Sequence, residues 1–396
     1  MSLGSKLRSL NRAAHRASRS DTIVFGMTGA HGISGGIASL NRNILLALES
    51  LVLERGLKLY VVSLHDTPSD IPSGAGAHIY YTACSGDKKR FSAALMRYSF
   101  RARLTLVDHV RLALPLLPFS YLGFRRLAIV AHGPEAWRNP KPLSIPLFQS
   151  ADLCIANSAF TLRKMQERFS GFQGVSCPLG LAPEHNLHDV IPTPPSDSVF
   201  LKNLAGKKRE IGPQMFLLVG RMHSQQEGKG HRDILRALTS SVEKHPDVQV
   251  VFAGTGDDSK AIAELAVQLS LQSHVFMPGF VTREMLEQLY RVCYAFVMPS
   301  RQDGFGLVYL EAMNYGKPCV GCFDDGGECV VSHEETGFLV HAETIDVELS
   351  EIFARLLKKP SMAAKLGRAG FERLHREFSS EQFQNRLRGH LRALLD

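Results

Sequence analysis

Three groups of residues have types and spacings that could do chemistry, and each follows an apolar run. The first is Val219-Gly220-Arg221, followed by Gly228-Lys229-Gly230. Arginine offers a rigid fork of donors and lysine a mobile point charge, so the pair suits a pyrophosphate. In one loop they would neutralise charge developing on a leaving diphosphate. Taken singly they are two surface cations, and the motif alone leaves both open. The second is Asp303-Gly304-Phe305-Gly306-Leu307, leading into Leu310-Glu311-Ala312-Met313. The glycines let backbone approach a ligand, and N–H groups at a helix start attract phosphate oxygens. Asp303 could accept from sugar hydroxyls and Glu311 could reach a ribose diol. The apolar neighbours of Glu311 favour a partly buried, partnered carboxylate over a solvated one. The third is His132-Gly133, with Glu135 and Trp137 close behind. His132 could bond a sugar hydroxyl or an acceptor, although a lone histidine is more often structural.

These groups need strand ends to hold them. Residues 22–27 form an apolar run that ends in the glycine-rich TGAHGISGGIA, and a segment with helical periodicity follows. The pattern reads as strand, glycine loop, helix. Residues 59–64, 104–107, 127–131 and 153–156 read as further strands, and Ser158 as a helix cap. Residues 184–212 change character, with several prolines and the run Lys207-Lys208-Arg209. The strand pattern restarts at 215–220 and continues at 248–253, 275–277, 294–298 and 318–321. Residues 380–395 carry Phe383, Leu387, Leu391 and Leu394 on one helical face. Strands alternating with helices imply parallel sheets covered on both faces. In such sheets ligands bind beyond the carboxyl ends of the strands, which is where the three groups lie.

The bulk numbers narrow the partners. A chain of 396 residues suggests two or three domains. Its net charge of +8 favours anionic partners. No nucleic-acid motif accompanies the basic residues, so nucleic acid is not expected. Seven widely spaced cysteines argue against a disulfide framework and for reduced core thiols, Cys319 among them, as in a cytoplasmic protein. No apolar run reaches the ~20 residues of a membrane span. Residues 1–20 lack the apolar core of a signal peptide. They place Lys6, Arg8, Arg12, Arg16 and Arg19 around a narrow apolar stripe. That is either a helix lying on anionic lipid or a disordered basic lead-in, and the narrow stripe favours the latter.

The ordered set of motifs resembles the group 1 (family 4) retaining glycosyltransferases of the GT-B fold. The likeness runs from about residue 22 to 390. It rests on Gly35-Gly36, His132-Gly133, Ala156-Asn157-Ser158, Gly220-Arg221 with Lys229-Gly230, Gly254-Thr255-Gly256, Pro278-Gly279-Phe280, Asp303 to Met313 and Gly316-Lys317-Pro318. The resemblance implies an α/β fold of two Rossmann-like parallel-sheet domains facing a central cleft. It implies that Arg221 and Lys229 hold the diphosphate with Gly220 beside them, and that Glu311 binds the ribose. It also implies that the backbone of Gly304, Phe305, Gly306 and Leu307 meets donor sugar and phosphates. The backbone near Val281 would meet the nucleobase, Gly35 and Gly36 would lie over the donor, and His132 would touch the transferred sugar. Where the family usually has glutamate this sequence has Asp303, one methylene shorter. Retention, as the family implies, needs no protein base, since the leaving phosphate can take the acceptor proton. No Asp-x-Asp motif occurs, so no metal and no cofactor are expected, and Arg221 and Lys229 stand in for the ion.

On the acceptor side, Asp108 and His109 end the strand 104–107 and point to the cleft. Lys88-Lys89-Arg90, Arg97, Arg101 and Arg103 interleave with Phe91, Tyr98 and Phe100. This stretch is either a contact for an anionic lipid surface or lipid-linked acceptor, or a solvated helix face with core-facing aromatics. The expected division is a lead-in at 1–20, an acceptor-side domain at 21–190 and a linker at 191–212. A nucleotide-sugar domain at 213–375 follows, then a terminal helix at 376–396 that packs back on the first domain. The sequence reads as a hexosyltransferase that takes a nucleotide-diphosphate sugar and a glycan or lipid-linked acceptor in cell-surface polysaccharide synthesis. It would act in the cytoplasm or on the inner face of the membrane. The alternatives are a donor-binding protein without transfer activity and a nucleotide-sugar epimerase of the same fold.

Overall fold

The computed structural model describes residues 21–72, 76–120, 126–138, 140–195 and 197–396. The basic lead-in at 1–20 lies outside them. The chain forms two compact units, one of residues 1–184 with 380–396 and one of residues 185–379.

The first unit is built on seven strands, β1 (Thr22–Met27), β2 (Lys58–Ser63), β3 (Ile79–Ala83), β4 (Leu104–Val107), β5 (Leu127–Ala131), β6 (Leu153–Ala156) and β7 (Val175–Ser176). They run parallel in the order β3-β2-β1-β4-β5-β6-β7. β4 and β5 are buried along their whole length, as unbroken apolar runs must be in a sheet covered on both faces. Chain order reverses between β1 and β4, so the carboxyl ends of these two strands flank a switch point.

The helix Gly36–Arg55 follows the glycine loop. By length and composition it could cross a membrane, which corrects the expectation that no segment qualifies. It is the core helix of this unit, with Leu40, Ile44, Leu48, Leu51 and Val52 buried. Its polar side chains also find partners inside the protein. Asn41 donates to the Gly29 carbonyl at 2.8 Å, and Arg392 of the helix Ser380–Leu395 pairs with Glu54. Arg386 donates to the Pro178 carbonyl at 2.9 Å and Arg103 to the Leu395 carbonyl at 2.7 Å. These bonds hold the last helix of the chain in the first unit.

Glu184, the last residue before the chain enters the second unit, accepts from Ser39 at 2.7 Å and from Arg42. Burial alone would raise the Glu184 carboxyl, but Arg42 and Ser39 outweigh it and hold it at about 2 against an ordinary 4.5. A carboxyl depressed in the fold stabilises above its ordinary value and loses that stability as pH falls through the depressed one. Discounted for solvent screening of this half-buried pair, Glu184→Ala is therefore expected to cost the first unit about 2 kcal/mol at pH 7. In urea titrations at stepped pH the deficit should shrink below pH 4.5 and vanish near pH 2. A deficit that does not change with pH would refute the assignment.

The second unit opens with a hairpin of β8 (Phe200–Lys202) and β9 (Lys208–Glu210). The linker expected at 191–212 is thus corrected to part of the second unit. Asn203 pins the hairpin to the sheet, pairing with Phe276 and donating to the Ser273 carbonyl at 3.1 Å. The sheet itself comprises β10 (Met215–Val219), β11 (Gln249–Ala253), β12 (Val275–Gly279), β13 (Ala295–Val297), β14 (Cys319–Cys322) and β15 (Gly337–Val340). These run parallel in the order β12-β11-β10-β13-β14-β15, with the switch point between β10 and β13. Six of the seven cysteines are buried, and burial pushes the Cys154 and Cys177 thiols up to about 12.

Candidate functional site

In the second unit the switch point gathers most of the expected residues. Gly220 and Arg221 follow β10, and Arg221 is exposed. The chain then forms a short helical turn, Ser224–Lys229, which returns Lys229 toward the strand end. The aliphatic part of Lys229 lies over Gly220, where an added Cβ would sit 3.8 Å from the lysine Cδ. The Lys229 ammonium reaches both carboxylate oxygens of Asp303, beyond β13, at 2.7 and 2.6 Å. Each side chain of this pair keeps about a fifth of its surface exposed (21%). Beside it, burial and then the Lys229 charge push His231 down to about 4, which keeps it neutral against the ring of Phe252.

The Asp303 loop is clamped from β14. Asp325 accepts the Asp303 N–H at 2.7 Å, and Gly326 donates its N–H to the Asp303 carbonyl at 2.9 Å. A side chain at Gly326 would meet the Gly304 carbonyl carbon at 2.2 Å, so only glycine allows this approach. Burial, then the neighbouring Asp303 charge, raise the Asp325 carboxyl well above the carboxylate range. Gly306, at φ +89°, turns the chain into the helix Leu307–Asn314. Phe305 is buried against Phe378. Glu311 lies in the second turn of that helix. One oxygen accepts from the buried Tyr290 hydroxyl at 2.9 Å, and the other is 3.6 Å from His185. Val281, between β12 and the helix Arg283–Val292, is partly exposed.

In the first unit, Gly35 and Gly36 are exposed at the start of the helix Gly36–Arg55. Two carboxylates anchor the loop before them. Asp66, beyond β2, accepts the N–H groups of Ala30, His31 and Gly32 and the hydroxyl of Tyr81. Asp108, beyond β4, accepts from Thr28 N–H at 2.8 Å and from Asn41 at 2.7 Å. Asp108 is wholly buried, which corrects the expectation that it points outward to an acceptor. Its strand-end position is shared with ligand-facing residues, but the Asn41 amide draws it inward. His109 remains partly exposed, and burial followed by the adjacent His132 lowers its imidazole. The two rings stack with centroids 6.1 Å apart. His132 bonds the Asp108 carbonyl through Nε2, while its N–H is held by Glu135. Trp137 packs edge-on against Phe160. In the basic-aromatic stretch Phe91 is core and Tyr98 packs on Tyr60, whereas Lys88, Lys89, Arg90 and Phe100 are exposed.

Sequence reasoning passed over Asp66, Asp325 and Tyr290. The first two carried a usable signal, since each is a carboxylate just past the end of an apolar strand. Tyr290, inside an amphipathic helix, carried none.

Two doubly wound parallel sheets, each with polar side chains gathered at its switch point, define the GT-B type of two Rossmann-like domains. Residues 203–373 match the family described as Glycosyl transferases group 1. Sucrose-phosphate synthase from Thermosynechococcus elongatus has this fold at a TM-score of 0.71 and 18% identity, covering 94% of this chain and 99% of that one. So does Anabaena HepE in complex with UDP and glucose, at a TM-score of 0.68 and 19% identity, covering 93% and 98%. An uncharacterized glycosyltransferase of Methanocaldococcus jannaschii is 35% identical over 143 residues, 35% of this chain and 36% of that protein. A GDP-mannose-dependent alpha-(1-6)-phosphatidylinositol monomannoside mannosyltransferase of Mycolicibacterium smegmatis is 27% identical over 280 residues, 67% of this chain and 69% of that protein. The chain thus spans about a third of the archaeal relative and over two thirds of the mycobacterial one. Residues 203–373 are thus similar to the group 1 glycosyltransferases.

Proposed function

We propose that the protein transfers a hexose, with retention, from a nucleotide-diphosphate sugar to a glycan or lipid-linked acceptor in cell-surface polysaccharide synthesis. The observation that carries this is the Lys229–Asp303 pair at the β10/β13 switch point, four residues before the helix that bears Glu311. An arriving diphosphate draws Lys229 onto its oxygens and joins Arg221 there. Asp303 is then freed to accept from hydroxyls of the donor sugar. The N–H groups at the start of the helix Leu307–Asn314 add partial positive charge. The same cations stabilise the diphosphate as it leaves, and its oxygen takes the acceptor proton while attack comes from the same face. The charge is supplied by side chains, since the sequence has no Asp-x-Asp motif to chelate a metal with the diphosphate.

The relatives suggest the first donors to try. One is named for GDP-mannose and a phosphatidylinositol monomannoside, and HepE binds UDP and glucose. A thermal-shift screen against UDP, GDP, ADP and their sugar conjugates tests the reading. Ligand at a hundred times its dissociation constant adds about 2.7 kcal/mol. The expected result is a clear shift with one nucleotide family, lost in Glu311→Ala. No shift with any nucleotide would overturn the reading. A second reading, donor binding without transfer, is favoured by the shorter Asp303 with both oxygens on Lys229. Slow hydrolysis or transfer of the bound sugar conjugate excludes it, and binding with no turnover supports it.

A further inference from the structure

Glu311 has two carboxylate oxygens in unlike surroundings. Oε2 accepts a 2.9 Å hydrogen bond from Tyr290, and Oε1 is 3.6 Å from the His185 imidazole, beyond hydrogen-bond length. One oxygen is thus fixed and the other is available to a ligand. The fixing group is itself immobile. Tyr290 is 1% exposed on the helix Arg283–Val292. Its ring stacks on Tyr315 at 5.5 Å with planes 9° apart, and tilts against Phe296 at 6.2 Å. Burial, then the facing Glu311 charge, raise the Tyr290 phenol far above its ordinary value, so it remains a donor. A buried tyrosine needs a partner for its hydroxyl, but a backbone carbonyl would serve. Aimed at the one carboxylate of the adjacent helix, it fixes that carboxylate's rotamer.

We infer that Tyr290 is a positioning residue for nucleotide recognition: it holds Glu311 so that the free oxygen meets a ribose hydroxyl, and makes the site prefer ribonucleotides to deoxyribonucleotides. The inference rests on the reading above, in which Glu311 faces the ribose of a nucleoside diphosphate. A carboxylate with one oxygen fixed presents the other in one direction, whereas a free glutamate samples several rotamers. A ribose lacking the bonded hydroxyl leaves that oxygen without its new partner, and the cost is read as selectivity.

The test is calorimetric titration of the full chain with whichever of UDP, GDP or ADP binds, and with its 2′-deoxy and 3′-deoxy forms. The wild-type protein is expected to bind the ribonucleotide at least about tenfold tighter than one deoxy form, the size of one hydrogen bond to a charged group. In Tyr290→Phe the ribonucleotide should weaken until that ratio is about twofold or less, with deoxynucleotide binding unchanged. Glu311→Gln, which keeps an acceptor for Tyr290 but loses the charge, should narrow the ratio with its melting temperature unmoved. Equal weakening of both nucleotides in Tyr290→Phe would mean a packing role and overturn the inference, and so would an unchanged ratio. A ratio that persists in Glu311→Ala would instead refute the placement of ribose on Glu311, and the inference would fall with it. Failure of every nucleotide to bind would refute the proposed function itself.

Discussion

Lys229→Ala is expected to lower kcat/KM for sugar transfer by about a thousandfold or more, as removal of a charge that stabilises a leaving anion does elsewhere. In the free protein the Lys229 ammonium sits 2.6–2.7 Å from both oxygens of Asp303. Its removal has two consequences. The leaving diphosphate loses its mobile cation, and the Asp303 carboxylate is left unpaired beside it. Asp325, bonded to the Asp303 N–H, lies buried beside it, so an unpaired Asp303 charge there is left without compensation. Donor affinity and turnover should both fall. The double variant Lys229→Ala, Asp303→Asn separates the two effects. It removes the uncompensated charge and should recover most nucleotide binding, but not turnover. The pair is partly exposed, so its own worth to stability is about 1 kcal/mol or less, and the melting temperature should barely move. The measurements are kcat, KM and nucleotide Kd for the three proteins. A Lys229→Ala rate near that of wild type would remove Lys229 from the mechanism.

The parts legible in the sequence were those with a continuous local signal. β1, β4, β5, β6 and β10 are largely apolar runs because both faces of each sheet are covered, and glycines follow the carboxyl ends of β1, β5 and β10. The Lys229 and Asp303 loops were legible for the same reason. What escaped depends on tertiary partners. β3 is an edge strand with Tyr80 exposed, so its pattern does not read as buried. β8 and β9 are short and charged, and it is tertiary bonds, such as those of Asn203 to Phe276 and to the Ser273 carbonyl, that make a docked hairpin of what reads as a linker. Asp108 and Asp303 are both carboxylates in the segment that follows a strand. One is drawn inward by Asn41 and the other is met by Lys229, a difference that no spacing encodes. Tyr290 and Glu311 are 21 residues apart on separate helices and meet only in the folded unit.

The same dependence on tertiary partners makes Asp66→Ala the most damaging single change expected in the first unit. Asp66 has no exposed surface. Its Oδ1 accepts from Gly32 N–H at 2.8 Å and His31 N–H at 3.1 Å, the Ala30 N–H is shared between both oxygens, and Tyr81 donates to Oδ2 at 2.6 Å. Burial would raise this carboxyl, but the Tyr81 hydroxyl and the loop N–H groups together hold it below its ordinary value. Truncation strands four donors. His31 and Gly32 are exposed and can turn to water, whereas Ala30 is buried and Tyr81 partly so. The expected loss is roughly 3–5 kcal/mol, at the upper end for a point change. Asp66→Asn should cost less than alanine but still more than Tyr81→Phe, because its amide keeps one acceptor oxygen and turns an NH2 toward backbone donors. The sign with pH follows from the depressed carboxyl. Its stabilisation is present above 3.8 and is lost as pH falls through the lower value, so wild type and Asp66→Ala should converge in acid. The first-unit transition in urea, at pH 7 and pH 3, measures this for the three variants. A variant as stable as wild type at pH 7 would mean that the loop is held by its other anchor, Asp108, alone.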